Sequence, residues 1–255
     1  MSKVLDLISA AHGQCRLAYV SATSIKLSPV NGRNLVIDGQ LQKVPSAGIT
    51  ISNSGLSAST LYYVYAIMSG GSMALELSTT GHSTNNGVET KTGDTSRTLV
   101  GMVRTNASSQ FVDDATNLCV LSFFNRRRKL GQAKFTANRT VAASAGVFAE
   151  VNTEIRVNFL TWADDPVRQA ICGGWTVVGA ATGFAYASID NDTSGQRAWC
   201  AHNANTTGQI ASFDERSVSE GYHFGTLIGN CQGGTSAQWL GGQSGEVSHV
   251  LSVMG

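Results

Sequence analysis

The chain of 255 residues is 42% hydrophobic and only 14% charged, with a formal net charge of +1. Charged residues are well below the about 25% of an average soluble protein, which disfavours exposed helices, whose outer faces are usually filled with Glu and Lys. The low net charge gives no general attraction to nucleic acid or to an anionic membrane. No apolar run approaches the about 18 residues of a membrane-spanning helix, so we expect neither a nucleic-acid partner nor membrane insertion.

The N-terminal residues 1–13 form the only stretch with a helical pattern. Its apolar residues recur at helical spacing on one face: Val4, Leu7, Ile8 and Ala11. A helix of three turns is marginal without a partner surface. We therefore expect a docking segment or a short coiled seam in an oligomer; the alternative is packing against its own module.

Residues 14–125 carry the pattern of short strands that alternate with turns. Leu35–Val44 predicts a hairpin with Asp38-Gly39 at its turn. Leu61–Met68 is apolar on both faces, which is typical of a central strand. About nine such strands predict a β-sandwich module.

A run of four cations, Arg126–Lys129, follows this module. It cannot enter a core, so residues 126–130 are interpreted as a basic hinge. Residues 131–255 then continue the strand pattern and hold all four tryptophans. The chain ends in an alternating strand up to Gly255, as jelly rolls do. The predicted fold is all-β, with a short N-terminal helix and two β-sandwich modules, of which the C-terminal one is jelly-roll-like.

Three acidic pairs are the first candidates for catalytic chemistry: Asp113-Asp114, Asp164-Asp165 and Asp214-Glu215. Neighbours in a strand point to opposite faces, so no pair can form a glycosidase dyad by itself. We interpret all three as turn residues. A dyad assembled from distant carboxylates remains an alternative.

Asp190–Gly195 resembles the opening of an EF-hand calcium loop, but Ala201 stands where the loop needs a bidentate Glu. A polar turn is therefore predicted, with a weak cation site as the alternative. The five histidines show no metal-binding spacing. These observations favour a protein that is not an enzyme, with no catalytic residue, metal or cofactor.

The five cysteines are widely scattered, without a C-x-x-C pair. We expect buried thiols in a protein made in a reducing cytosol. The alternative is an interchain disulfide formed after release from the cell.

Several stretches resemble a small β-module of virion appendage proteins from tailed bacteriophages, such as tail fibres, spikes and head-decoration fibres. They are Gly13–Leu17, Leu27–Pro29, Gly32, Leu61–Ala66, Arg97–Met102 and Leu121–Arg126. The resemblance covers about the first half of the chain. It implies a homotrimer located in the virion, made in the cytoplasm of a bacterial host, with a distal domain that binds a host glycan or protein. It supplies no catalytic residue.

Recognition is assigned to the second module, because binding residues concentrate in loops on a rigid β-scaffold. Its longest polar loops are Asp190–Arg197 and Gly233–Gln243. The expected glycan or receptor contacts are Asn191, Asp192, Trp199, His202, Asn203 and Trp239. Burial of both tryptophans in the core is the competing interpretation. Competing functions are a polysaccharide-degrading tailspike domain and a carbohydrate-binding module.

Overall fold

The computed structural model describes residues 12–142, 147–179, 181–194, 200–203, 207–233, 235–242 and 245–255. Within them almost all regular structure is β-strand, and the single 3-10 turn is Thr153–Ile155. The all-β prediction is confirmed. The predicted helix with Val4, Leu7, Ile8 and Ala11 lies outside the described residues. Among the described helices, none has the length and apolar character needed to span a membrane.

The chain divides into two compact units. The first contains the chain through Asp113, together with Cys119–Arg128 and Met254–Gly255. The second contains Asp114–Leu118 and Lys129–Val253. The chain therefore enters the second unit briefly before it returns to finish most of the first.

The first thirteen strands run from Cys15 to Ser122. They are β1 Cys15–Ser21, β2 Ser24–Pro29, β3 Asn34–Ile37, β4 Gln40–Lys43, β5 Ile49–Ser52, β6 Leu61–Ser69, β7 Ser72–Ser78, β8 His82–Asn85, β9 Val88–Lys91, β10 Asp94–Arg104, β11 Asp113–Asp114, β12 Asn117–Leu118 and β13 Val120–Ser122. In the first unit, β1-β2-β5 form one sheet and β7-β6-β10-β9-β8 another, with β13 added to β10.

The core of the first unit consists of apolar side chains that include Leu27, Val64 and Val100. The predicted hairpin is confirmed as β3–β4, where Ile37 pairs with Gln40. Asp38 and Gly39 both have positive φ, 52° and 68°. This is the type I′ geometry that Asp-Gly favours.

The remaining strands run from Arg128 to Met254. They are β14 Arg128–Lys134, β15 Arg139–Ala142, β16 Ala149–Glu150, β17 Val157–Thr161, β18 Val167–Val178, β19 Ala181–Ile189, β20 Cys200–Asn203, β21 Thr207–Arg216, β22 Gly221–Gly233, β23 Ser236–Trp239 and β24 Ser248–Met254. Arg128–Leu130 of the predicted hinge thus lie in β14. The cations do not interrupt the strand, because its outward positions leave Arg128 in solvent.

Eight of these strands have the order of a jelly roll. The β18 sheet is β14-β24-β18-β21, and the β22 sheet is β17-β22-β19-β20. If these eight strands are numbered along the chain, the β18 sheet has the order 1-8-3-6 and the β22 sheet has the order 2-7-4-5. This is the double Greek key of jelly rolls. The predicted jelly-roll-like module with a central last strand is confirmed, since β24 lies between β14 and β18.

The two sheets enclose a core built around two stacked indoles. The rings of Trp175 and Trp239 lie 5.7 Å apart at 24°, and both side chains are fully buried. Glycines on two neighbouring strands make room for them. A Cβ added at Gly183 would lie 2.5 Å from Trp175, and one at Gly229 would lie 2.6 Å from Trp239.

Candidate functional site

The best-organised polar feature of the second unit is the turn that follows β19, which we call the Asp190 turn (residues 189–192). Asp190 and Asn191 have φ values of 55° and 57°. Asp192 N donates to Ile189 O at 3.1 Å, which closes the turn. Asn and Asp tolerate this left-handed conformation better than other side chains that carry a Cβ. The predicted polar turn is therefore present here, and its three polar side chains each reach a different strand or strand end.

Asp190 binds the start of β22. Its carboxylate accepts from His223 Nδ1 at 2.6 Å and from Phe224 N at 3.1 Å. The other ring nitrogen, His223 Nε2, lies 2.9 Å from Ser219 O. The hydrogen bond to Asp190 raises the pKa of His223, although burial opposes this. The charged imidazolium thus joins the Asp190 turn to the loop before β22.

Asp190, His223 and Ser219 have the composition of a catalytic triad, but their geometry favours a structural ion pair. Ser219 Oγ lies 3.4 Å from His223 Nε2, farther away than the carbonyl oxygen of the same residue. A general base needs its Nε2 lone pair directed at the hydroxyl. Here one ring nitrogen faces a charged carboxylate and the other a carbonyl oxygen, and the carboxylate favours the charged ring, which donates from both nitrogens.

Asn191 extends toward a second charged group, Glu150 of β16, to which its side chain is hydrogen-bonded. Glu150 also accepts from Arg156 Nε at 2.6 Å and from Thr226 Oγ1 at 2.6 Å. Burial opposes the charge of Glu150, but these hydrogen bonds outweigh it and lower its pKa. The Arg156 guanidinium in turn lies over the Phe224 ring at 4.0 Å, a cation–π contact.

Asp192 binds β21. Its carboxylate accepts from Ser194 N at 2.9 Å, from Ser194 Oγ at 2.6 Å and from Arg216 at 3.0 Å. These hydrogen bonds, those from Ser194 first, lower the pKa of Asp192 to about 2. Arg216 also pairs with buried Asp214 at 3.2 Å.

Behind this pair the hydrogen bonds continue into the core. Gln169 Nε2 donates to Asp214 at 3.2 Å, and Gln169 Oε1 lies 3.0 Å from His249 Nε2. His249 Nδ1 lies 3.0 Å from Ile155 O. Burial lowers the pKa of His249 to about 4, so the ring is neutral near pH 7. The Asp190 turn is therefore held by a network that passes from the surface into the β18 sheet.

This network makes the turn a rigid support. Asn191, Thr193 and Ser194 remain exposed, whereas the carboxylates are committed to partners within the protein. Among the described residues no group of His, Cys, Asp and Glu could hold a metal ion. The arrangement can present a short polar edge of fixed shape to a binding partner.

Asp192→Ala is expected to lower the free energy of unfolding by about 1–2 kcal/mol, because Arg216 and Ser194 lose a charged acceptor. The measurement is urea unfolding at pH 7 followed by tryptophan fluorescence. Thr193→Ala, next to it and exposed, is the matched control and should stay within about 0.5 kcal/mol of the unmodified chain. Equal effects of the two substitutions would contradict the role assigned to Asp192.

The structure brings together two of the predicted contact residues, Asn191 and Asp192. The predicted glycan contact of Trp239 is wrong, because this residue lies in β23, fully buried against Trp175, and has no face left for a glycan. The predicted loop Gly233–Gln243 contains this strand, whose alternation of Ala237 and Trp239 toward the core is short and easily missed.

The remaining predicted contacts follow the Asp190 turn in the chain. Trp199 lies outside the described residues. His202 and Asn203 belong to β20, where their backbones pair with Gly183 and Thr182. Their side chains are not among those described.

Sequence reasoning missed the partners that hold the turn, Glu150, Arg156, Asp214 and Arg216. Asp214-Glu215 was predicted as a turn but lies in β21, with Asp214 inward and Glu215 outward. The alternation of Ile210, Ser212 and Asp214 toward the interior was the available signal. The pairing of Glu150 with Arg156 joins residues on separate elements and has no signal in the sequence.

Cys15, Cys119 and Cys231 are buried, as expected for small apolar side chains. Burial raises the pKa of Cys15 to about 12, so its thiol stays protonated. Cys172 is exposed on β18.

No family model matches the chain, and no curated protein matches it. Among solved structures, the chain is similar to the structure of infectious bursal disease virus Gx strain, with 11% identity and a TM-score of 0.34 over 94% of this chain and 70% of that one. A second similarity, to infectious bursal disease virus Gt strain, has 13% identity and a TM-score of 0.30 over 94% of this chain and 77% of that one. TM-scores this low carry no argument about the function of the chain.

Proposed function

We propose that this chain is a structural protein of a virus particle, a fibre or spike of a tailed phage, which attaches the particle to a glycan or protein on the host surface. The observation that carries the proposal is the strand order of the second unit. Jelly rolls of this order build viral capsid and lectin domains. The sequence resemblance of the first half to phage appendage proteins supports the same role.

In this proposal the second unit binds the host and the N-terminal residues 1–13 with the first unit anchor the chain to the particle. The exposed edge of the Asp190 turn supports this polarity, because its shape is fixed before a ligand arrives and less entropy is lost on binding. Asn191 and Asp192, with Trp199, His202 and Asn203 farther along the chain, form the proposed contact region. Three copies assemble in the particle, and the proposal assigns no catalytic step to the chain.

Antibody raised against the full chain should label the surface of intact particles in electron micrographs. The purified chain, added at micromolar concentration, should also reduce adsorption of particles to host cells by competing for their receptor. Absence of label from particles would overturn the virion role. Label without competition would leave the virion role and overturn attachment, and loss of capsule polysaccharide on incubation would favour the degrading alternative.

Asn191→Gly is expected to weaken this competition tenfold or more, because it removes the exposed side chain while Gly keeps the positive φ. Asn86→Gly is the matched control: Asn86 is an exposed turn residue of the first unit with a φ of 49°. Concentration–response curves for adsorption compare the two variants. Equal loss in both variants, or loss only for Asn86→Gly, would contradict the assigned polarity.

A further inference from the structure

The outer face of the β18 sheet is unusually apolar for a sheet face that is exposed to water. Antiparallel sheets with one solvated face normally carry polar residues there. On this sheet the most exposed positions include three large apolar side chains, Leu130 at 59%, Phe213 at 55% and Val250 at 40% exposure. They lie on β14, β21 and β24, so the apolar character extends across the sheet.

The strand register places two of these side chains in one row. Ala170 of β18 pairs with Phe213 on one side and with Val250 on the other. In the next row Cys172 pairs with Ala211 and Ser248. The middle of the face is thus a surface of small and apolar side chains with Phe213 projecting from it.

Charges lie at the margins of this surface, where Arg128 is exposed on the same face of β14 as Leu130 and the other charges form ion pairs. Arg168 and Glu215 form an ion pair of 2.9 Å in the row before Ala170. Lys134 and Glu246 form another of 2.8 Å. The middle of the face is therefore uncharged, and the ion pairs at its margins do not call for a partner of opposite charge.

The size of the face fits a protein better than a sugar. Four strands about 4.8 Å apart and about seven residues long give a flat area of about 19 by 23 Å, or ~440 Å². The adjoining four-residue strands β23 and β15 raise this flat area to about 570 Å², about 70% of the ~800 Å² per partner of a specific protein interface.

We propose that a second copy of this chain covers this face, so that Phe213, Val250 and Ala170 lie in an interface between copies. A surface with an uncharged middle meets its own copy there without like-charge repulsion, and a net charge of +1 per chain adds little. Contiguous exposed apolar side chains commonly mark such interfaces. This inference deepens the proposed self-association and rests on it, but it does not depend on host attachment.

The test compares Phe213→Asp with Val147→Asp in the full chain. Val147 is 56% exposed, close to the 55% of Phe213. It lies just before β16, which pairs with β22 in the other sheet. Light scattering at about 50 μM should show an assembly for the unmodified chain and for Val147→Asp, and a monomer for Phe213→Asp. Circular dichroism and the unfolding midpoint establish that each variant is folded.

Alkylation of Cys172 is a second test of whether the same face is covered in the assembly. In the assembly its thiol should react at least tenfold more slowly with a maleimide reagent than in Phe213→Asp, with Cys172→Ser as the background for other thiols. An assembly whose stoichiometry and Cys172 reactivity are unchanged by Phe213→Asp overturns the interface but leaves self-association intact. A monomeric unmodified chain overturns both. Protection of Cys172 only within whole particles would assign the face to a different virion protein and overturn the proposal.

Discussion

Trp239→Ala is expected to destabilise the second unit by about 3–5 kcal/mol, the cost of removing a large aromatic side chain from a packed core. Trp239 is fully buried and stacks on Trp175, and a Cβ added at Gly229 would lie 2.6 Å from its ring, so position 229 provides no side chain beside the cavity that Trp239→Ala would leave. The measurement is urea unfolding followed by the fluorescence of the remaining tryptophans, all of which belong to the second half of the chain.

Trp239→Phe is the control for this prediction. It keeps an aromatic ring in the core, and among the described residues Trp239 Nε1 has no hydrogen-bond partner to lose. Its cost should therefore be a fraction of that of Trp239→Ala. Normal stability of Trp239→Ala together with weaker host binding would contradict the buried position and restore Trp239 as a contact residue.

Lowering the pH from 7 to 4 is expected to remove about 3 kcal/mol of stability through His249 alone. Its pKa falls from 6.5 to about 4 in the folded chain because of burial. The unfolded chain therefore binds a proton between these values that the folded chain excludes, and stability present above pH 6.5 is lost as the pH falls toward 4. His249 is fully buried, away from the water that would solvate its charge, and this outweighs the opposing effect of the hydrogen bond to Ile155 O.

His223 changes the free energy of unfolding with pH in the opposite direction. Its pKa is raised, so the stability that its charged form contributes is complete below pH 6.5 and is lost as the pH rises through the folded value. Asp192 and Glu150 contribute stability that is present at neutral pH and is lost as the pH falls through their lowered pKa values. The contribution of His249 to the pH dependence is therefore isolated by comparing the unmodified chain with a variant that lacks this residue alone.

His249→Gln should flatten the fall in unfolding free energy between pH 6.5 and 4. His82→Gln, at a half-buried position of the first unit, should leave that fall unchanged when tryptophan fluorescence is the probe. A pH dependence identical in both variants would show that another group controls the acid lability.

The structural features that could be predicted from the sequence were those that depend on a few neighbouring residues. The Asp38-Gly39 hairpin and the jelly-roll character of the last strand belong to this class, because turn chemistry and period-two alternation are local. The Asp190 turn was also predicted, since its Asp and Asn residues favour positive φ. Its supports were not predicted, because Glu150, Arg156 and Arg216 come to it from separate elements.

Trp239 shows why residue type misleads in site prediction. Tryptophan is suited both to sugar stacking and to cores, and the choice depends on strand register. β23 is only four residues long, between residues typical of loops, so its pattern was too short to assign an inward face. The space beside it is provided by Gly229, whose role depends on a neighbouring strand.

The path of the chain between the units has a consequence for synthesis on the ribosome. Met254–Gly255 belong to the first unit, where Gly255 N donates to Arg127 O at 2.8 Å and Gly255 O accepts from Arg127 N at 2.5 Å. The first unit therefore cannot complete these two hydrogen bonds until Gly255 has left the exit tunnel. Asp114–Leu118 must likewise wait for β17, with which β12 pairs in parallel. Each half of the nascent polypeptide thus holds a piece of the other unit, so the first unit acquires its last two hydrogen bonds only after the residues of the second unit have been synthesised.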